Sequence, residues 1–342
     1  MKGFVTAFSL ESKKIFSSKG FWIFIVAILV LCIMVTLSFK MIGDLMEGMD
    51  DSGLTGSGAD AGQLVEVYRQ QLDEYLQQVE SGQIKQKPGD TTEMTLRNSI
   101  AICEYCIEHG IDVNSLVAIG SISSFNMTSG DFVNMMSQVS FTFVCILAIV
   151  ISARTLAGEI DDGTMRMQLT RPIKRYVLLL AKQGAVFVAG LTVAVAFMAA
   201  FMAGGALFFE GTATDVVLVD AYQNVAVINP YAAILLTFLF FAVELATMIQ
   251  FTMFIGSFVN KTGALAIPLV TYLFVDTIAL LLYNTGLPWV GLFTNLNWAS
   301  GLTTAGAPVR GMSIYTMMAV TAVWFAGMTA VNYTVFEKRD LK

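Results

Sequence analysis

The sequence predicts an all-α, polytopic membrane protein with six transmembrane helices and a helical extracellular insertion between spans 1 and 2. Three observations predict it. Charged residues make up 13% of the 342 residues and hydrophobic ones 56%, with a mean hydropathy of +0.68, whereas a soluble domain carries about 25% charged residues. The deficit is concentrated in six apolar runs, each near or above the roughly 20 residues that a helix needs to cross the hydrocarbon core. The basic residues fall mainly on alternate loops between those runs.

Taken in order, residues 1–20 read as a cytoplasmic interfacial helix. Phe4, Val5, Phe8, Ile15 and Phe16 fall near one helical face with lysines elsewhere, the pattern of a helix lying in the membrane interface. Span 1, Phe21–Phe39 within residues 21–40, is longer than the apolar region of a signal peptide and has no small-residue cleavage site after it, so it is expected to stay. The segment 41–131 is the one sizeable extramembrane region. Leu64, Val67, Tyr68, Leu72, Tyr75, Leu76 and Val79 recur at helical spacing, and Thr91 or Thr92 can start a second helix that Gly110 stops near Glu108. This segment holds 15 acidic residues against four basic ones, either a solvated surface or a collar that attracts cations.

Residues 132–342 hold the remaining spans, Phe132–Ala153, Tyr176–Phe209, Tyr231–Phe258, Gly263–Tyr283 and Ile314–Phe336. The third span overall, Tyr176–Phe209, is longer than a crossing requires, so it should tilt, break at Gly204-Gly205 or project beyond the bilayer. A cytoplasmic loop, 154–175, separates spans 2 and 3. The segment 284–313 between spans 5 and 6 is apolar around Pro288–Trp298 and too short to cross and return, which fits a loop dipping into one leaflet with Trp289 and Trp298 at the interface. With the N-terminus inside, 14 of the 20 basic residues lie on inner segments. Four of the outer ones lie in the long first loop, which translocates regardless of charge. Both termini are therefore expected in the cytoplasm, and the chain in the cell membrane as a multi-pass protein.

The 154–175 loop carries the most informative residues. A turn at Asp162-Gly163 should be followed by a short amphipathic helix from Thr164 to Thr170 that Pro172 ends. A basic cluster then leads into span 3. A short surface helix tied to two spans can receive a push from a soluble partner. The order Glu159, Gly163-Thr164, Pro172, Arg175 and Lys182 resembles the pattern of ABC-2-type transporter permeases. So do the six-span layout, the polar glycine-rich stretch between spans 5 and 6, and the C-terminal Phe336–Leu341. The resemblance covers nearly all of the chain except 41–131. It implies a coupling helix around Glu159–Thr170 that docks on a cytoplasmic ABC ATPase subunit, with Glu159, Gly163, Thr164, Arg166, Leu169, Pro172 and Arg175 as the coupling residues. It further implies a second permease copy or sister permease, export as the direction, a re-entrant outer gate at 284–313, and ATP and magnesium bound by the partner.

No cofactor is expected on this chain itself. A phosphate-cradling loop needs glycine before its lysine, and Gly256–Thr262 lacks that glycine. Glu244 in span 4 and Asp276 in span 5 are each about 13 residues from a helix end, hence roughly 20 Å deep. Carboxylates there belong to a translocation pathway or are held by neighbours such as Gln250, Thr247 or Thr271. Cys103, Cys106 and His109 sit at i, i+3, i+6 on one helix and read as packing residues in preference to a metal site. One histidine and no nucleophile–base pattern leave little for an enzyme to use, and no nucleic-acid partner is expected beside the lipid bilayer. The leading expectation is a permease subunit of an ATP-driven exporter. The alternatives are an ion-coupled secondary carrier or channel using Glu244 and Asp276, and a membrane sensor whose acidic outer segment binds a ligand.

Overall fold

The structure is a computed structural model that describes residues 2–50, 61–84, 90–111, 116–118, 129–169, 174–209, 215–220, 222–284, 290–302 and 313–338. The side chains at 2, 42–50, 131, 138, 166, 169, 276, 280, 283–284 and 300–301 lie outside that description. The chain is mostly helical. Among the described residues, five helices are long and apolar enough to cross a membrane, so this is an integral, polytopic α-helical membrane protein.

Helix α1 (Lys2–Phe16) turns at Ser17 and Ser18 into α2 (Lys19–Asp50), the first apolar helix. The elbow is fixed by the Trp22 indole, whose Nε1 donates to the Phe16 carbonyl at 2.7 Å. Phe16 also packs edge-on against Phe21. The inward face of α1 is Ala7, Glu11 and Ile15, one residue per turn, while Val5 is exposed. The buried stripe is thus narrower than the sequence pattern indicates, and it includes a carboxylate.

Helices α3 (Ala61–Glu80) and α4 (Thr92–His109) pack side by side. Asp90 caps α4: its Oδ1 accepts from the Thr92 N–H at 3.1 Å and the Thr92 hydroxyl at 2.6 Å, and its Oδ2 accepts from Tyr75 of α3 at 2.7 Å. Gly110 ends α4 at φ +63°, a left-handed conformation in which glycine has no Cβ penalty. Strand β1 (Leu116–Ala118) then pairs in parallel with β2 (Asp215–Val219), which pairs antiparallel with β3 (Val225–Ile228). This small sheet departs from an all-α chain. Val216, Val217, Val219, Val225 and Val227 favour extended backbone because their branched side chains fit a pleated surface. Cys106 and Ile102 of α4 close a small core with Leu116, Val217 and Val219.

Helix α5 (Ser129–Ala153) is the hub of the apolar bundle. It packs on both α8 (Arg175–Phe208) and α9 (Pro230–Gly256), and it is far more deeply buried than α12 (Ile314–Lys338). Helix α8 runs unbroken through Gly204 and Gly205 for 34 residues, about 50 Å at 1.5 Å per residue, so it overshoots a ~30 Å core by some 20 Å. Gly205 lets the start of α5 approach, since a Cβ there would meet the Ser129 carbonyl oxygen at 3.1 Å.

The predicted fifth span is two helices in tandem, α10 (Lys261–Leu273) and α11 (Val275–Asn284), with 13 and 10 residues. They meet at Phe274, whose φ of −107° and ψ of 23° leave the helical region. Each piece alone is too short to cross. The segment after them folds into the bundle. Leu292 and Leu296 join the main core, Phe293 packs edge-on against Phe251, and the Thr321 hydroxyl of α12 donates to the Asn295 carbonyl at 2.9 Å.

At Gly190 of α8 an added Cβ would lie 2.9 Å from Leu245 Cδ2 of α9. Gly190→Val should therefore cost about 1–3 kcal/mol by overpacking, read as a lowered Tm of the detergent-solubilised protein. Gly327→Val, where nothing lies within 4 Å, should leave the Tm unchanged or raised.

Candidate functional site

The loop between α5 and α8 opens with an irregularity. Residues Arg154–Gly158 form a π-turn, a wider turn that recurs at functional sites. It leads into α6 (Glu159–Asp161), a turn at Asp162 and Gly163, and α7 (Thr164–Leu169). Gly163 has φ +70°, which glycine adopts without strain. Five consecutive residues, Thr155 to Glu159, are buried, so this stretch is enclosed by its neighbours on every side.

The enclosure is ionic. Lys182 of α8 is fully buried, and its Nζ donates to Glu11 Oε1 at 2.8 Å and to Glu159 Oε2 at 2.6 Å. Glu159 Oε2 also accepts from Gln168 Nε2 at 2.9 Å, and Glu159 Oε1 accepts from Lys14 Nζ. Two lysines and two glutamates thus join α1, α6, α7 and α8 at one neutral node. Burial lowers the Lys14 ammonium below its ordinary pKa, and the nearby Lys182 charge adds to that, while Glu11 opposes both. Buried charges are tolerated because each meets a partner, and removing one partner strands the other.

A second tie reaches the far side of the bundle. Asp161 Oδ2 accepts the Lys261 backbone N–H at 2.6 Å, which places a carboxylate on the N-terminus of α10, where the helix dipole favours it. The Lys261 side chain approaches Asp162 at 3.7 Å and packs 3.6 Å from the position a Gly158 Cβ would occupy. Arg175, at the start of α8, donates from Nη1 to the Glu337 carbonyl of α12 at 3.2 Å.

The predicted coupling residues therefore do different things. Glu159 is an internal anchor, and Gly163 shapes the turn. Thr164 donates its hydroxyl to the Glu159 carbonyl at 3.3 Å. Arg166 and Leu169 lie on α7 with side chains outside the described set, and Pro172 lies outside it altogether. The outward feature that sequence reasoning missed is Met167. Met165 is 1% exposed and joins the main core, whereas Met167, about 200° further round the helix, is 69% exposed. The signal was available in the alternation around Thr164–Leu169. Glu11 and Lys14 were missed as well, because nothing local in the sequence links α1 to residue 159.

Glu244 of α9 is half-buried and accepts a hydrogen bond from the Tyr272 hydroxyl of α10 at 3.2 Å, a tie between neighbouring helices. Asp276 lies on α11 with its side chain outside the described residues. Cys103 and Cys106 are buried thiols that are not joined in a disulfide, and burial pushes the Cys103 thiol up, with Cys106 and Glu104 adding to the effect. The His109 ring stacks on Tyr105 at 4.0 Å.

Two comparisons bear on this arrangement. A family model described as ABC-2 family transporter protein matches residues 6–341. A chain of Bacillus subtilis (strain 168), the uncharacterized protein YhcI, is 24% identical over 341 residues, covering 97% of each.

Lys182→Met leaves Glu11 and Glu159 buried without their shared cation. It should cost about 3–5 kcal/mol, measured as a fall in Tm with earlier proteolytic cutting in the 154–175 loop. Combining it with Glu159→Gln should cost less than the two single losses added together, because the two groups share one network.

Proposed function

The chain belongs to the ABC-2 family of transporter proteins, and on that premise we propose that it is the membrane-spanning permease subunit of an ATP-driven exporter, coupled to a separate cytoplasmic ABC ATPase subunit. The chain would cross the cell membrane six times, with α10 and α11 together forming the fifth crossing. Both termini and the α6–α7 loop would face the cytoplasm, which is where the distribution of basic residues puts them. The α3–α4 pair and the small sheet would lie outside. A second copy, or a sister permease, would complete the transporter.

The observation that carries this reading is the mounting of α7. The helix is too short to be stable alone, yet it is held between a core methionine, Met165, and the Glu159 node, with Met167 facing outward. Glu159 ties the loop to α8 and α1, and Asp161 ties it to α10. A displacement applied at Met167 would therefore reach three helices of the bundle without passing through a flexible joint. In this mechanism the ATPase grips α7 and closes on ATP and magnesium, and the connected helices move between inward-open and outward-open states. The energy gap between those states comes from differential binding by the partner. Glu159 acts by positioning α7, and the contact itself falls to Met167 and the exposed rim of the loop.

Affinity purification of the tagged protein from its native membrane in mild detergent tests the proposal. An ATP-binding subunit should co-purify with the wild type and be lost with Met167→Glu, while the Tm of the variant stays within about 0.5 kcal/mol equivalent of wild type, as for other surface changes. If the folded protein brings down no ATP-binding subunit, the ATPase-coupled reading fails. The carrier reading then becomes the one to test, through the pH dependence of flux in Glu244→Gln and Asp276→Asn.

A further inference from the structure

A cleft of about 340 Å³ opens between the α1–α2 elbow and the inner end of α5. One half is apolar, built by Phe21 and Phe24 of α2 with Leu147 and Ile151 of α5. The other half is cationic, built by Lys14 and by Arg154 at the first position of the π-turn. We propose that this cleft is a binding site for one anionic phospholipid, its phosphate held by Arg154 and Lys14 and an acyl chain laid between α2 and α5.

The charges fit that occupant. Arg154 is exposed, and no carboxylate or carbonyl engages its guanidinium among the described residues. A guanidinium presents a planar pair of donors that matches a phosphate. Lys14 commits one N–H to Glu159, and an ammonium has three. Lys13 lies nearby in sequence and adds to the positive field. Of the hydroxyls that border the cleft, Thr155 donates to the Ile151 carbonyl at 2.7 Å, while Ser18 accepts from the Phe21 N–H at 3.4 Å and keeps its own O–H to donate. Two cationic groups and one hydroxyl donor are thus what the cleft offers an anion.

The surroundings fit a lipid. Trp22, Ile23 and Val26 on the same elbow are exposed large hydrophobic residues on an apolar, membrane-length helix, so the medium beside the cleft is hydrocarbon. Its cationic rim lies at the end of the bundle that carries the loop, where headgroups sit. The dimensions are those of a small-molecule site, in the range of about 300–1,000 Å³. The site also has a consequence for the loop. Lys14 belongs both to the cleft and to the Glu159 node, so a phosphate at Lys14 competes with Glu159 for its ammonium and changes how tightly α6 is held. The binding site itself does not depend on the presence of an ATPase.

The test uses the full chain, reconstituted in nanodiscs of phosphatidylcholine with or without phosphatidylglycerol, then released into detergent for native mass spectrometry. One phosphatidylglycerol should be retained per chain in preference to phosphatidylcholine. Retention should weaken about tenfold in Arg154→Ala, the loss expected for one charge-assisted hydrogen-bonded contact, and recover partly in Arg154→Lys. Lys19→Ala, outside the cleft lining, should retain the lipid as wild type does and so controls for general surface charge. Equal retention of the two lipids, or retention unaffected by Arg154→Ala, overturns the proposal. Inorganic phosphate alone should neither bind nor displace the lipid; binding of phosphate as strongly as the lipid overturns the lipid as its source and leaves a plain anion site. Failure here would leave ATPase co-purification untouched, and failure there would leave lipid retention untouched.

Discussion

A lysine ammonium removed from water has to take its counter-charges with it, and Lys182 imposes that constraint on the end of the bundle that carries the 154–169 loop. Its position near the start of α8 requires Glu11 to face inward from α1 and Glu159 to face inward from α6. Glu159 in turn orders Gln168 and Lys14. The π-turn is part of the same solution, because it delivers four buried residues in succession and leads straight into Glu159 beneath the ammonium. Substituting apolar residues for such a cluster can raise stability, so its presence here is better understood as specifying one geometry for the loop than as adding stability.

The family pattern acquires a physical meaning in this setting. Its first and last residues, Glu159 and Lys182, are partners in an ion pair that closes the loop on itself. Gly163 supplies the left-handed turn within that closure, and Thr164 ties the helix start back to the Glu159 carbonyl. A motif that would otherwise read as a docking signature is largely an instruction for building and bracing a short helix. The Met167 side chain stands on the exposed side of that short helix.

The C-terminal end of α8 leads into a different kind of brace. There the backbone itself makes the connection, as β1 from the α2–α5 connection pairs with β2 from the α8–α9 connection. The sheet rests on α4 and on α9. Helix α8 packs on both α5 and α9, with Gly190 meeting Leu245 of α9 and Gly205 meeting the start of α5.

The sequence alone determined the membrane class, the helix positions and the turn at Gly163, because hydrophobic run length, helical periodicity and glycine conformation are local properties. It located α4 to within a residue at its Gly110 stop for the same reason. The tertiary structure decided what depends on distant partners. Glu159 could be read as a contact residue until Glu11, Lys14 and Lys182, up to 171 positions apart, were found around it. The break at Phe274 has no glycine or proline beside it, and the strand at Leu116–Ala118 is too short to declare itself without Asp215–Val219 alongside. Ion pairing, sheet pairing and helix breaks of this kind are set by what lies across the fold, and a one-dimensional pattern carries no record of it.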